Sequence, residues 1–334
     1  MLTELPTLLL PWYEANKRDL PWRRDREPYH VWLSEIMLQQ TRVEAVRGFY
    51  SRFLQALPTV EALAEAEEDL LLKLWEGLGY YSRVRNLQKA ARQIVELGAF
   101  PTTRKELLQL KGIGPYTSAA IASICFEEGT PAVDGNVIRV LSRVLGRTVE
   151  QKEAEAILAP VYPTGRCGEF TQALMELGAV VCVPNGAPDC EACPLKQMCK
   201  ALAEGQPRAY PVKKAKKERT VEARTVFILR CEDKLAVCKR PDKGLLAGLW
   251  QLPDRVGDLS LQQGQDYLKA LGVEVTAPVM ELRRRHIFTH VQWELRGLYF
   301  QCRECSEGLI WVSPEDLKEK IGLPTAYRQF LDIV

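Results

Sequence analysis

Apolar residues recur every three or four positions through 29–41, 43–56, 84–97, 116–125, 137–145 and 170–181, the spacing that gathers them on one face of a helix. No run in the first 200 residues or so alternates as a strand would, so this part of the chain reads as all-α. Leu57-Pro58-Thr59, Phe100-Pro101-Thr102 and Tyr162-Pro163-Thr164-Gly165 punctuate it, and each threonine stands where it could serve as or near an N-cap. The pattern changes at Gln206. Residues 206–220 hold two prolines, several cations and almost nothing apolar, which predicts a basic linker. Beyond it, Thr225–Arg230, Lys234–Lys239, Gln292–Gln301 and Leu309–Val312 are short β-rich runs, with helix-like stretches at Leu261–Leu271 and Pro314–Ile321. The expected division is a helical region 1–205, a linker 206–220 and an α+β domain 221–334.

Composition narrows this picture only a little. The 334 residues are 46% apolar, enough for full cores, and the formal charge of +2 neither demands nor excludes a polyanionic partner. The start of the chain lacks the basic and apolar segments of an export signal, and no membrane-spanning run is present. A cytoplasmic, reducing setting without membrane attachment is therefore expected, in which the ten cysteines are not a disulfide framework.

Four features carry chemistry. Leu110-Lys111-Gly112-Ile113-Gly114-Pro115-Tyr116-Thr117 is a tight turn whose glycines bend the backbone and whose proline opens a helix, leaving free N–H groups for a phosphate. Asp134 follows in Val133-Asp134-Gly135-Asn136-Val137 at a helix start, where a carboxylate is favoured as the anion. Glu35 sits between Val31 and Leu38 on an apolar stripe, and desolvation there raises a carboxyl toward neutral pH. Two carboxylates whose surroundings push their pKa values apart divide naturally into proton donor and charge stabiliser. Finally, Cys182-x7-Cys190-x2-Cys193-x5-Cys199 is a strong metal signal, satisfied by a tetrahedral zinc or by an iron–sulfur cluster.

The hairpin and Asp134 resemble the helix-hairpin-helix superfamily of DNA glycosylases. Leu20-Pro21-Trp22-Arg23, the run from Pro28 to Thr41, Gly77-Leu78-Gly79-Tyr80-Tyr81-Ser82-Arg83-Val84-Arg85-Asn86-Leu87 and Val133–Val137 look like signature segments of the MutY adenine DNA glycosylases. That resemblance implies excision of adenine mispaired with 8-oxoguanine or guanine in duplex DNA. Glu35 would protonate the adenine ring, and Asp134 would stabilise the sugar cation before water completes hydrolysis with retention. Asn136 and Tyr116 would support that carboxylate and the sugar. Trp22, Arg23 and Glu176 would line the base pocket, Gln40, Leu78 and Tyr80 would fill the opened duplex, and Gly112 and Gly114 would hold the backbone. Bifunctional relatives such as endonuclease III carry a Schiff-base lysine where this chain has Tyr116, so hydrolysis without strand cleavage is expected. The resemblance further implies a [4Fe-4S] cluster on Cys182, Cys190, Cys193 and Cys199, although the first gap is one residue longer than usual.

The C-terminal order of elements, with Gly244–Pro253, resembles a Nudix-type fold. The helix-like stretch 261–271 holds only Asp266 as an acid, too few oxygens for the magnesium of an active Nudix hydrolase, so the domain is expected to bind and not hydrolyse. Arg283-Arg284-Arg285 supplies charge for phosphate, and Phe288-Thr289-His290 resembles the family's Phe-Ser-His loop for 8-oxoguanine. The expected fold is thus an all-α helix-hairpin-helix glycosylase core with a cluster loop, joined to an α+β Nudix-like domain. A monomer associated with the nucleoid through DNA is the expected state. Two alternatives stand beside it: an endonuclease III-like pyrimidine glycosylase and lyase, and a non-enzymatic iron–sulfur DNA-binding protein.

Overall fold

Proline opens the helices that carry the candidate site. Pro28 and Pro115 occupy the first positions of Pro28–Leu38 and Pro115–Phe126, where their missing N–H and fixed φ cost nothing. The computed structural model describes residues 2–212 and 218–331, so 213–217 of the expected linker lie outside the described residues. The chain divides into two units, Met1–Glu65 with Arg85–Lys214, and Ala66–Val84 with Ala215–Val334.

The first unit is helical. Leu5, Leu9 and Tyr13 of the N-terminal helix Leu5–Asn16 bury themselves against Val137, Val140 and Leu141 of Gly135–Leu145 and against Phe170, Leu174 and Leu177 of Cys167–Val180. The expected helix over 29–41 stops at Leu38, because Gln40 takes a left-handed φ of 57° and turns the chain. Thr59 accepts from the Ala62 N–H, as a capping threonine should, and Thr103 with Glu106 forms a capping box. At the third turn the cap is Arg166, not the expected Thr164, since the helix begins only at Cys167. Through Val212 the expected linker is tied down: Arg143 donates to the Tyr210 carbonyl, and the Val212 N–H donates to Thr148.

In the second unit a sheet runs in the order β3-β2-β1-β6-β5, from β1 (Thr220–Cys231), β2 (Lys234–Lys239), β3 (Trp250–Gln251), β5 (Val275–Ile287) and β6 (Val291–Cys302). Short β4 (Asp254–Val256) and β7 (Ile310–Val312) pair with β1 and β2. The central pair β1 and β6 is parallel, in register from Thr220 opposite Val291 to Arg230 opposite Gln301. Alternate side chains on this pair feed two cores. Val226, Ile228, Trp293 and Leu295 meet Tyr327 and Phe330 on one face; Phe227, Leu229, Leu298 and Phe300 meet Leu268 of the helix Leu261–Ala270 on the other. Residues 66–84, expected within the helical region, group with this unit. Lys73 Nζ donates to the carbonyls of Leu317 and Ile321, the Leu323 N–H donates to Glu76, and Gly322 lies against the Leu72 carbonyl so closely that a Cβ would stand 3.2 Å from its oxygen.

Candidate active site

A cavity of about 750 Å³ in the helical unit gathers Trp22, Arg23, Glu35, Gln40, Gly112, Gly114, Tyr116, Asp134, Asn136 and Glu176 on its walls. The hairpin forms one rim. Gly112 has φ +77°, and a Cβ there would stand 2.6 Å from that of Asn86, so backbone shape and space both require glycine. Lys111 is exposed beside it.

Glu35 is only 7% exposed and belongs to the Pro28–Leu38 helix, with Val31, Trp32, Leu33, Ile36 and Met37 buried around it. Burial pushes its carboxyl up to about 7, against the pull of a hydrogen bond from Tyr116 and with a push from the Asp134 charge. The Tyr116 hydroxyl donates to Glu35 Oε2 at 2.6 Å and also approaches Met175 Sδ at 3.7 Å. Tyr116 therefore partners Glu35, in place of the expected support to Asp134, because Pro115–Phe126 packs beside the Pro28–Leu38 helix.

Asp134 caps Gly135–Leu145. Its Oδ1 accepts from the Val137 N–H at 2.8 Å and its Oδ2 from Asn136 Nδ2 at 2.6 Å. Those donors favour the anion, yet burial outweighs them and the Asp134 pKa is raised. The expected separation of the two carboxylates is thus a difference of degree: both move upward, since both are taken out of water. Behind Asp134 the chain of bonds continues. Asn136 Oδ1 accepts from Arg139 Nη2 at 2.7 Å, and Arg139 also donates to the carbonyls of Gly178 and Cys182. A Cβ on Gly178 would meet that of Asn136 at 2.5 Å, so the Cys167–Val180 helix approaches Asp134's support as only glycine permits.

In the same cavity Glu176 is 0% exposed. Burial alone would raise its pKa, but Arg18, which spans both carboxylate oxygens at 2.7 and 2.8 Å, and Arg23 at 2.8 Å outweigh it and hold Glu176 down at about 2. Arg18, Arg139 and Met175 escape sequence reasoning. The one signal is Glu176 itself, an acid within an apolar helix that has to find a cation elsewhere.

Other expected residues lie in the second unit. Leu78 is buried, and Tyr80, half exposed with φ +48°, brings its hydroxyl within 2.8 Å of Thr289 Oγ1. Phe288 packs edge-on against Trp293, and the His290 carbonyl accepts from the Thr220 N–H. Arg283 and Arg285, expected to supply phosphate-binding charge, lie on strand β5 and pair with Asp258 and Glu294. This strand is not legible in the sequence because three consecutive arginines mask its two-residue alternation.

Cys182, Cys190, Cys193 and Cys199 line a second, smaller cavity in the helical unit, where Arg143 Nη1 donates to Cys182 Sγ at 3.2 Å. Among the described residues no group of three or more His, Cys, Asp or Glu side chains is arranged to hold a single metal ion.

Residues 33–163 match the HhH-GPD superfamily of base excision DNA repair proteins, and residues 225–332 match the NUDIX domain. The chain is 38% identical over 292 residues to an adenine DNA glycosylase of Arabidopsis thaliana, covering 73% of this chain and 46% of that longer protein. It is 30% identical over 340 residues to an adenine DNA glycosylase of Buchnera aphidicola (subspecies Acyrthosiphon pisum), covering 97% of this chain and 96% of that one. A solved thermostable thymine-DNA glycosylase superposes with a TM-score of 0.56 at 28% identity, over 59% of this chain and 94% of its own. No helix among the described residues is long and apolar enough to cross a membrane. End-to-end likeness to a relative of nearly the same extent, on a helical core followed by a Nudix-like sheet, makes this chain a member of the adenine DNA glycosylase family of base-excision repair proteins.

Proposed function

We propose that this chain hydrolyses the N-glycosidic bond of adenine mispaired with 8-oxoguanine or guanine in duplex DNA, without a lyase step. The observation that carries the reading is a buried Glu35 carboxyl, 2.6 Å from the Tyr116 hydroxyl, on the same cavity wall system as Asp134. A pKa of about 7 leaves Glu35 substantially protonated at neutral pH, as a donor to a departing base must be. Asp134, held by Val137 N–H and Asn136, faces the positive charge that grows on the sugar as the bond breaks. Water then attacks the sugar, and no amine stands at position 116 to form an imine. Trp22, Arg23 and Glu176 are assigned to the pocket for the flipped base, which leaves its stack at a cost of a few kcal/mol.

The hairpin at Gly112 and Gly114 suits a phosphate, and Gln40, Leu78 and Tyr80 are assigned to the space the base vacates. Phe288, Thr289 and His290 are assigned to 8-oxoguanine; the bond between Tyr80 and Thr289 supports a common role for those two. Residues 1–205 would then be the glycosylase region, 206–220 its linker and 221–334 the recognition domain, acting as a monomer.

We also assign a [4Fe-4S] cluster to Cys182, Cys190, Cys193 and Cys199. Four thiols around one cavity suit a cluster that takes one thiolate per iron. The Arg143 donor at Cys182 suits a thiolate. When bound, the cluster ties the loop 182–199 to the end of the Cys167–Val180 helix.

The test is a single-turnover assay on a duplex with one adenine opposite 8-oxoguanine, read before and after alkali beside thymine glycol and normal-pair controls. Strand breakage only after alkali, confined to the adenine strand, is the expected result. No adenine release by folded protein would overturn the proposal, and cutting at thymine glycol would favour a pyrimidine glycosylase.

A further inference from the structure

The parallel strands β1 and β6 end on neighbouring cysteines. Arg230 stands opposite Gln301, so the next residues, Cys231 and Cys302, come side by side on the face that also carries Leu229 and Phe300. Both are buried. The chain leaving β6 then bends back: the Arg303 N–H donates to the Glu274 carbonyl, and Trp311 Nε1 donates to the Ser306 carbonyl. Between these two anchors Cys305 is exposed, while its thiol lies 2.7 Å from Cys231 Sγ. Both thiols are free, and a modest movement separates them from a covalent S–S bond of about 2.05 Å.

We propose that Cys231 and Cys305 form an oxidation site, in which a peroxide converts the exposed Cys305 and the buried Cys231 closes a disulfide that clips the turn after β6 onto the end of β1. The chemistry balances in two steps. The Cys305 sulfur attacks the peroxide oxygen, giving a sulfenic acid and one water, or one alcohol from an organic peroxide. The Cys231 sulfur then displaces the sulfenic oxygen, forming the S–S bond and releasing a second water; two thiols are oxidised and one peroxide is reduced. The roles follow from access and from the bond between the sulfurs. Hydrogen bonding to Cys305, then burial, pushes the Cys231 thiol up to about 11, so it stays protonated at neutral pH and is the poorer first target. Cys302, beside Cys231 at the strand end, is a bystander whose own thiol burial pushes up to about 11.

The clip lies at the far end of the sheet from the Phe288–His290 turn, which precedes the first residue of β6, roughly 35 Å away along the strand pair. Closing it restrains the fold and leaves the DNA-facing turn alone.

The full chain, purified reduced, is treated with one equivalent of hydrogen peroxide and mapped by mass spectrometry of peptides kept unreduced. The expected product links Cys231 to Cys305 with loss of two hydrogens, and dithiothreitol reverses it. Cys231→Ser should accumulate a dimedone adduct on Cys305, and Cys302→Ser should leave the link intact. Because Cys231→Ser alters a buried site, Cys305→Ser gives the second arm. It should keep Cys231 reduced, keep base excision within about twofold of the parent, and melt several degrees below the oxidised parent after the same treatment. Persistence of an alkylatable Cys305, a link from Cys305 to Cys302 in its place, or equal melting of the oxidised parent and Cys305→Ser would overturn the proposal.

Discussion

Glu35 and Glu176 face one cavity, and water is nearly excluded from both, yet one is held at about 7 and the other at about 2. Burial pushes each of them upward. What separates them is the partner: Glu35 receives one neutral hydroxyl, whereas two guanidiniums hold Glu176 through charge-assisted bonds. A neutral donor trims the effect of desolvation, and a pair of cations reverses it. One carboxyl of the cavity is thereby poised to give up a proton near neutral pH, while the other stays ionised and fixed.

The largest expected effect comes from removing the proton itself. Glu35→Gln keeps the shape of the side chain, and single-turnover adenine release should fall by roughly 10³-fold while duplex affinity stays within a few fold. Stability should move the other way. The folded pKa of Glu35 lies above its unfolded value of 4.5, so the buried carboxyl favours folding below pH 4.5 and loses that contribution as pH rises through about 7. At pH 8 the glutamine variant should unfold at a higher urea concentration than the parent. Retained excision would remove Glu35 from the chemistry.

Glu176→Gln attacks the second carboxylate and should cost about 3 kcal/mol of unfolding free energy at pH 7, because two half-buried arginines lose their counter-charge. Here the sign is reversed. The folded pKa is depressed, so the stabilisation is present above about 4.5 and fades as pH falls toward 2. Urea midpoints of parent and variant should converge on acidification over that window; a constant gap would mean that packing, not charge, holds this side chain.

Much of this contrast is legible in the amino-acid sequence itself, and the reason is locality. Glu35 lies within a single helix whose apolar spacing already announces desolvation, and Asp134 announces its cap within four residues. Whatever depends on a distant partner stays hidden. Nothing near Glu176 in sequence points to Arg18, 158 residues away, and nothing in the hairpin says that Tyr116 will reach Glu35 across 81 residues. Secondary structure divides along the same line. Leu5–Asn16 escapes a reading by pattern because Pro11 speaks against a helix interior, and a buried apolar face overrides it; β5 escapes it because three consecutive arginines mask its alternation.

Gly178→Ala probes the support of Asp134 without touching it. The new methyl would enter the space of Asn136, whose Cβ and backbone lie 2.5 and 3.1 Å away and are fixed by Arg139, so Asn136 must move. Loss of its bond to Asp134 should slow excision by roughly 10²-fold, the scale of a displaced catalytic contact, with Glu35's titration unchanged in the pH profile. A variant with parental rates would show that Asp134 needs only its Val137 N–H.

Tyr116→Phe should have the smallest effect on rate and the most telling one on pH. Its hydroxyl donates to the Glu35 carboxylate, a bond that favours the anion and pulls the pKa down from where burial alone would set it. Without that bond the anion loses the hydroxyl that offsets its desolvation, and the pKa rises further. Excision should fall by about tenfold at neutral pH through poorer placement of the carboxyl. The alkaline limb of the single-turnover rate, expected near pH 7 in the parent, should move upward, so that the two proteins draw closer in rate above that pH. A limb that stays in place would assign it to another group, and a limb that moves down would mean that Tyr116 favours the protonated acid, reversing the part given to it in setting Glu35 apart from Glu176.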